Sequence, residues 1–341
     1  MHRCLPLSFL ISSVISTTAI AETPRVVTDI APVQGLVSRV MAGISEPDML
    51  IPPGSSPHAY SLRPSDARAL SSADVVFWIG DELETWLGDP LEQLAGDARI
   101  VALLDLPGTL NLPFRNDAIF AEDHHSSAHD HEAGHDEHDE HHDDEDGHSD
   151  HDHEDHDQDH DDHAHDGHDH EGIDPHAWLA PANGKVWLEV IAEELAAVDP
   201  DNADLYLSNA QAGQAEIDLA TSAIRESLPT SHGAFVVFHD AYQYFEHSFG
   251  LRSLGAISLG DATDPSVARI AEIREAVANA GVTCVFSEPQ FNPSLVDTVT
   301  KGTEVKAHVI DPLGLELVAG PDFYTDLLIQ TGHQFSECLA R

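Results

Sequence analysis

Positive charge is the scarcest property of this 341-residue sequence: 15 lysines and arginines face 61 aspartates and glutamates, for a formal charge of −46. A chain so poor in cations cannot neutralise clustered phosphates, which excludes nucleic acid as a partner and argues against anionic membrane surfaces. The same sign favours cationic partners. After the amino terminus there is no run of the roughly 18 apolar residues needed to cross a bilayer, so the mature chain is expected to be soluble. No phosphate-cradling glycine loop is present, which removes the commonest signature of phosphoryl transfer.

Cysteine is also rare, with three in all. The start, "MHRCLPLSFLISSVISTTAIA", has a short basic region, an apolar run and a small-x-small site, the pattern of a secretory signal spanning residues 1–21. Cleavage there leaves Glu22 as the first mature residue, removes Cys4 and exports the rest to an oxidising compartment. Cys284 and Cys338 remain; in an oxidising compartment they read as a disulfide between a strand and the last helix, or otherwise as two buried thiols.

What the chain has instead is histidine beside acid. Residues 121–172 contain 17 of the 25 histidines and 23 of the 61 acids, with no Lys or Arg. Such a segment has too little apolar surface to offset the entropy of ordering, and it is expected to be a disordered loop in the first of two lobes. Its carboxylates should raise the histidine pKa values, so metal loading there should weaken as pH falls, because ligation needs neutral imidazole.

On either side, β-branched runs alternate with helical periodicity. "RVVTDI", "DMLI", "DVVFWIG" and "RIVAL" precede the tract as strands, with "RPSDARALSSA" and "DELETWLGDPLEQLA" as helices among them; "AFVVF", "LRSLGAIS", "TCVFSE" and "KAHVI" follow it. That alternation predicts an α/β fold of two lobes, each a mainly parallel sheet flanked by helices. The lobes are expected at 22–198 and 230–341. Asp199-Pro200 opens a helix over 199–229 that joins them and stops before Pro229.

Ligands of open α/β sheets bind beyond the carboxyl ends of the strands. Four polar residues fall there: His58 in "SPHAYSLRPSD", His176 in "DPHAWL", His239 in "FHDAYQYF" and Asp311 in "IDPLG". A cleft between the lobes would bring them face to face, and three imidazoles with a carboxylate or water form the tetrahedral N/O set that zinc prefers. Asp240 and Glu288 are placed to orient ligands, as partners of metal-bound imidazoles do. Asp174 and Trp178 are expected to shape the loop of His176. His232, His247, His308 and His333 lack the placement and are assigned surface or core roles.

These motifs, with "FSEPQF", in this order, resemble the zinc-binding periplasmic components of ABC importers, the zinc branch of the cluster A-I or cluster 9 solute-binding proteins. The resemblance covers nearly the whole mature chain. It implies a rigid helix between lobes, a histidine-rich loop in the first lobe, a disulfide like Cys284–Cys338, and metal-binding histidines at His58, His176 and His239. It also implies a monomer that carries Zn2+ to a membrane permease and catalyses no reaction. In the manganese and iron members a glutamate commonly replaces His239 and an aspartate at the place of Asp311 is a ligand, so histidine at 239 points to zinc. Some zinc members have a glutamate just before the first histidine. Here that residue is Pro57, which leaves the fourth place to Asp311, a water or a histidine of the tract. The rival readings are a member of the same transporter family that binds manganese or another divalent metal, a zinc hydrolase with Glu288 as base, and a zinc store or adhesin using the tract alone.

Overall fold

The computed structural model describes residues 23–115, 117–120, 172–231, 233–258, 260 and 265–340. The expectations for the leader and for the tract between 121 and 171 lie outside these residues, as does His232.

The first lobe is built on a four-stranded parallel sheet in the order β2-β1-β3-β4: β1 (Val26–Thr28), β2 (Asp48–Met49), β3 (Val75–Trp78) and β4 (Arg99–Ala102). Its helices are α1 (Ala31–Val40), α2 (Pro64–Ser72) and α3 (Gly88–Leu94). The apolar run of β3 is buried at all four positions, as expected for a strand covered on both faces. In α1, Val33, Leu36, Val37 and Val40 are all buried, the single stripe their spacing predicts. The expected helix in "DELETWLGDPLEQLA" forms only in its second half, because Pro90 is tolerated only in a first turn.

After α4 (Pro181–Val198), a turn of 3-10 helix at Pro200–Asn202 leads into α5 (Ala203–Ser227), about 38 Å long. Asp199 does not cap the backbone of this helix. Its carboxylate instead accepts from Asn202 Nδ2 (2.7 Å) and the Tyr206 hydroxyl (2.9 Å).

The second lobe repeats the first lobe's arrangement, with strand order β6-β5-β7-β8: β5 (Ala234–His239), β6 (Gly255–Ser258), β7 (Val282–Ser287) and β8 (Lys306–Val309). It adds α6 (Gln243–Phe249), α7 (Val267–Asn279), α8 (Ser294–Thr300) and α9 (Phe323–Leu339). Cys284 of β7 and Cys338 of α9 form a disulfide.

One apolar core runs through both lobes, from Leu36 and Phe77 through Trp187 and Ile217 to Phe235 and Phe335. A smaller one, including Ile257, Ile273 and Val296, lies under α7 and α8. Helix α5 packs on α1, α4 and α9, so it touches the helices of both lobes. In each sheet the first strand is central, with its successors on opposite sides. The carboxyl ends of β1/β3 and of β5/β7 are therefore the switch points at which such sheets bind ligands.

Candidate metal centre

His239 closes β5, and Glu288 follows its neighbour β7. The register of these strands brings the two together: His239 Nδ1 lies 2.7 Å from Glu288 Oε1. Gln290 Nε2 donates to the other carboxylate oxygen at 3.0 Å. The Tyr242 hydroxyl, buried beside Glu288 and Asp311, is pushed well above its usual pKa by burial and then by those carboxylates, so it stays neutral.

His176 stands just before a 3-10 turn, Ala177–Leu179. Its Nδ1 lies 2.7 Å from Asp174 Oδ1, which also accepts the His176 backbone N–H at 3.0 Å. Asp174 was expected only to shape the loop, but it sets the ring. The Asp-x-His spacing is the local signal that could have shown this. Burial raises the Asp174 carboxyl to about 7, against the lowering effect of the His176 amide.

A carboxylate at each Nδ1 favours the tautomer that carries its proton there, which leaves each Nε2 as a lone pair. The two Nε2 atoms face each other across 3.3 Å, and both rings are almost fully buried. His58, on the 3-10 turn Pro57–Ala59, stands beside them with its ring centre 5.8 Å from that of His176. Its turn is held by the Trp86 indole N–H, which donates to the Pro57 carbonyl at 2.8 Å. The three histidines share one pocket, walled by Pro57, Trp178, Gln290, Pro312 and Leu313. Among the described residues no group of three His, Cys, Asp or Glu is placed to hold a metal ion with the side chains as they stand.

Asp311 does not line this pocket. Its carboxylate accepts the backbone N–H groups of Leu313, Gly314 and Leu315, so it shapes the loop that supplies Pro312 and Leu313 to the wall. Asp240 is likewise bonded to Arg115, a residue that sequence reasoning overlooked. Burial raises the Asp240 carboxyl to about 6, with Arg115 working in the opposite direction. His247 and His333 are exposed and His308 is half-buried.

Two α/β lobes with paired, carboxylate-held imidazoles in one pocket define the class: a binding protein for a metal ion. The chain belongs to the family described as "Zinc-uptake complex component A periplasmic", whose model matches residues 26–338. It is 44% identical over 339 residues to the high-affinity zinc uptake system protein ZnuA of Paracoccus denitrificans, covering 98% of each chain. To the protein of that name from Brucella suis it is 40% identical over 342 residues, covering 100% of this chain and 99% of the other. A crystal structure of a ZnuA superposes with a TM-score of 0.69 at 20% identity, over 93% of this chain and 99% of that one, which shows the shared fold. The family is one of solute-binding proteins, not enzymes.

Proposed function

We propose that the chain captures Zn2+ in the periplasm and delivers it to the membrane permease of an ABC importer, entering that compartment through a signal peptide at residues 1–21. The observation that carries this reading is the 3.3 Å between His176 Nε2 and His239 Nε2. Two nitrogens bound to a tetrahedral zinc at about 2.0–2.1 Å stand about 3.3–3.4 Å apart. Two lone pairs facing each other at that separation repel unless a proton or a cation sits between them. Small imidazole movements would bring His58 in as a third ligand. The amide bonds of Asp311 favour a water in the fourth place, beside Gln290. An all-imidazole set suits zinc better than manganese, which prefers carboxylate oxygens.

The tract joins the chain a few residues before His176. Its many weak imidazole and carboxylate sites would raise the local zinc concentration as an auxiliary collector, since chain linkage raises effective concentration.

A competition titration against a chelating dye tests both parts. Replacing His58, His176 and His239 together by alanine should abolish the tight site, and deleting residues 121–172 should keep it while lowering the number of ions bound per chain. Undiminished tight binding by the triple variant would transfer the function to the tract.

A further inference from the structure

Residues 112–115 and 117–120 make a crossing that neither sheet requires. The Leu112 N–H donates to the Tyr244 hydroxyl at 2.9 Å, and Pro113 pairs with Ile173. The chain then adds itself antiparallel to the outer edge of β6. Phe120 N–H donates to the Leu254 carbonyl at 2.8 Å and Ala256 N–H to the Ala118 carbonyl at 3.3 Å. The approach is so close that a Cβ on Gly255 would collide with the Ala118 carbonyl. A segment that follows β4 of the first lobe thus covers a sheet edge of the second.

Arg115 sits in the middle of this crossing. Its Nε donates to Asp240 Oδ2 at 2.9 Å and its Nη1 to Glu246 Oε2 at 2.9 Å, while Nη2 also bonds Asp240. The guanidinium lies 3.9 Å from the ring centre of Phe120. Asp240 and Glu246 are 2% and 4% exposed at the side chain, and Arg115 is the cation that bonds both, although Glu246 also accepts from the Ser253 N–H and hydroxyl. Asp240 is the residue after His239. Tyr244, two residues before Glu246, donates its hydroxyl to the Asp174 carbonyl at 2.7 Å, and Asp174 holds the His176 ring. Arg115 therefore grips the short stretch of chain that lies between the supports of the two facing imidazoles.

We propose that Arg115 is a positioning residue for metal capture: clamped on Asp240 and Glu246, it fixes the end of β5, and with it His239, against the loop that carries His176. The proposal rests on the reading that these histidines hold the ion. Without the fork, two buried carboxylates lose their cation, α6 and the β5 end draw water or move apart, and the 3.3 Å spacing is lost. Lysine is no substitute, since one ammonium cannot grip two carboxylates in a fixed plane.

The test compares the wild-type chain with Arg115→Gln and Arg115→Lys by three measurements. These are zinc release into excess chelator, the visible spectrum of the cobalt(II)-loaded protein, and amide exchange of the metal-free protein. The Gln variant should release zinc about tenfold faster, with the Lys variant between it and the wild type. Both should show an altered cobalt spectrum, which a purely structural role would leave alone, and faster exchange at Phe120 and Ala256. Wild-type release and an unchanged spectrum in a folded Gln variant would overturn the proposal; if that variant does not fold, the same result in the Lys variant would do so. A wild-type chain that holds no zinc would overturn the functional reading itself, and this proposal with it.

Discussion

The two lobes share a strand order but treat their switch points differently. At the end of β5, a histidine backed by Glu288 turns its Nε2 into the pocket. At the corresponding place after β1 stands Asp29, whose carboxylate accepts the N–H groups of Ile30 and Ile79, both at 2.6 Å. Glu84, from the turn after β3, lies against it, and both are fully buried. No Lys or Arg is bonded to either among the described residues. Burial raises Asp29 to about 7, and burial followed by the charge of Asp29 raises Glu84 well above its usual value, so the pair keeps protons that an exposed pair would lose. The second lobe has its own buried acids, Asp240 and Glu246, but it neutralises them with Arg115. One fold thus neutralises the buried acids beside its histidine pocket with a cation, and closes the other sheet end with protons.

The largest effect that could break this contrast is on the metal. Replacing His239 by alanine should weaken zinc binding by at least about a hundredfold, because it removes a ligand and leaves Glu288 with no ring to hold; competition titration measures it, and a small loss would mean that the β5 end is not the binding end. Next comes Arg115→Ala, which should lower unfolding free energy by about 3–5 kcal/mol in denaturant titration, since it strands two buried carboxylates.

The first lobe's pair predicts a pH dependence. In the unfolded chain both acids titrate near 4, so between about pH 4 and pH 7 the folded chain holds more protons than the unfolded one. Stability should therefore fall as pH rises through that window, and continue to fall until Glu84 is ionised as well. Glu84→Gln, which keeps the shape and removes the titration, should make that fall shallower in the metal-free protein; parallel wild-type and variant curves from pH 5 to 8 would show that the pair does not share protons. Least affected should be Asp218→Asn, which breaks an exposed pair with Lys185 (2.7 Å) and should shift stability by no more than about 0.5 kcal/mol.

Much of the fold was legible because its signals are local. The buried β-branched runs, the stripe of α1 and the stop of α5 before Pro229 each depend on residues within a few positions of one another. Of the three histidines only His239 closes a strand; His58 and His176 stand at 3-10 turns in loops. Less legible were the partners that give those residues their chemistry. Asp174 was expected to shape its loop and Asp311 was one of three candidates for the fourth ligand, because a sequence shows that a carboxylate is near in the chain but not where its lone pairs point.

By itself, then, the sequence determined the alternation of strands and helices, the acid-rich tract, and the imidazoles available to a cation, since composition and periodicity act over short distances. The tertiary structure alone decided that Arg115 meets Asp240 across 125 positions, that Asp29 reaches Ile79 across 50, and that two Nε2 atoms 63 residues apart converge. Those contacts are set by the packing of sheets and helices, and packing brings together residues whose separation along the chain carries no trace of it.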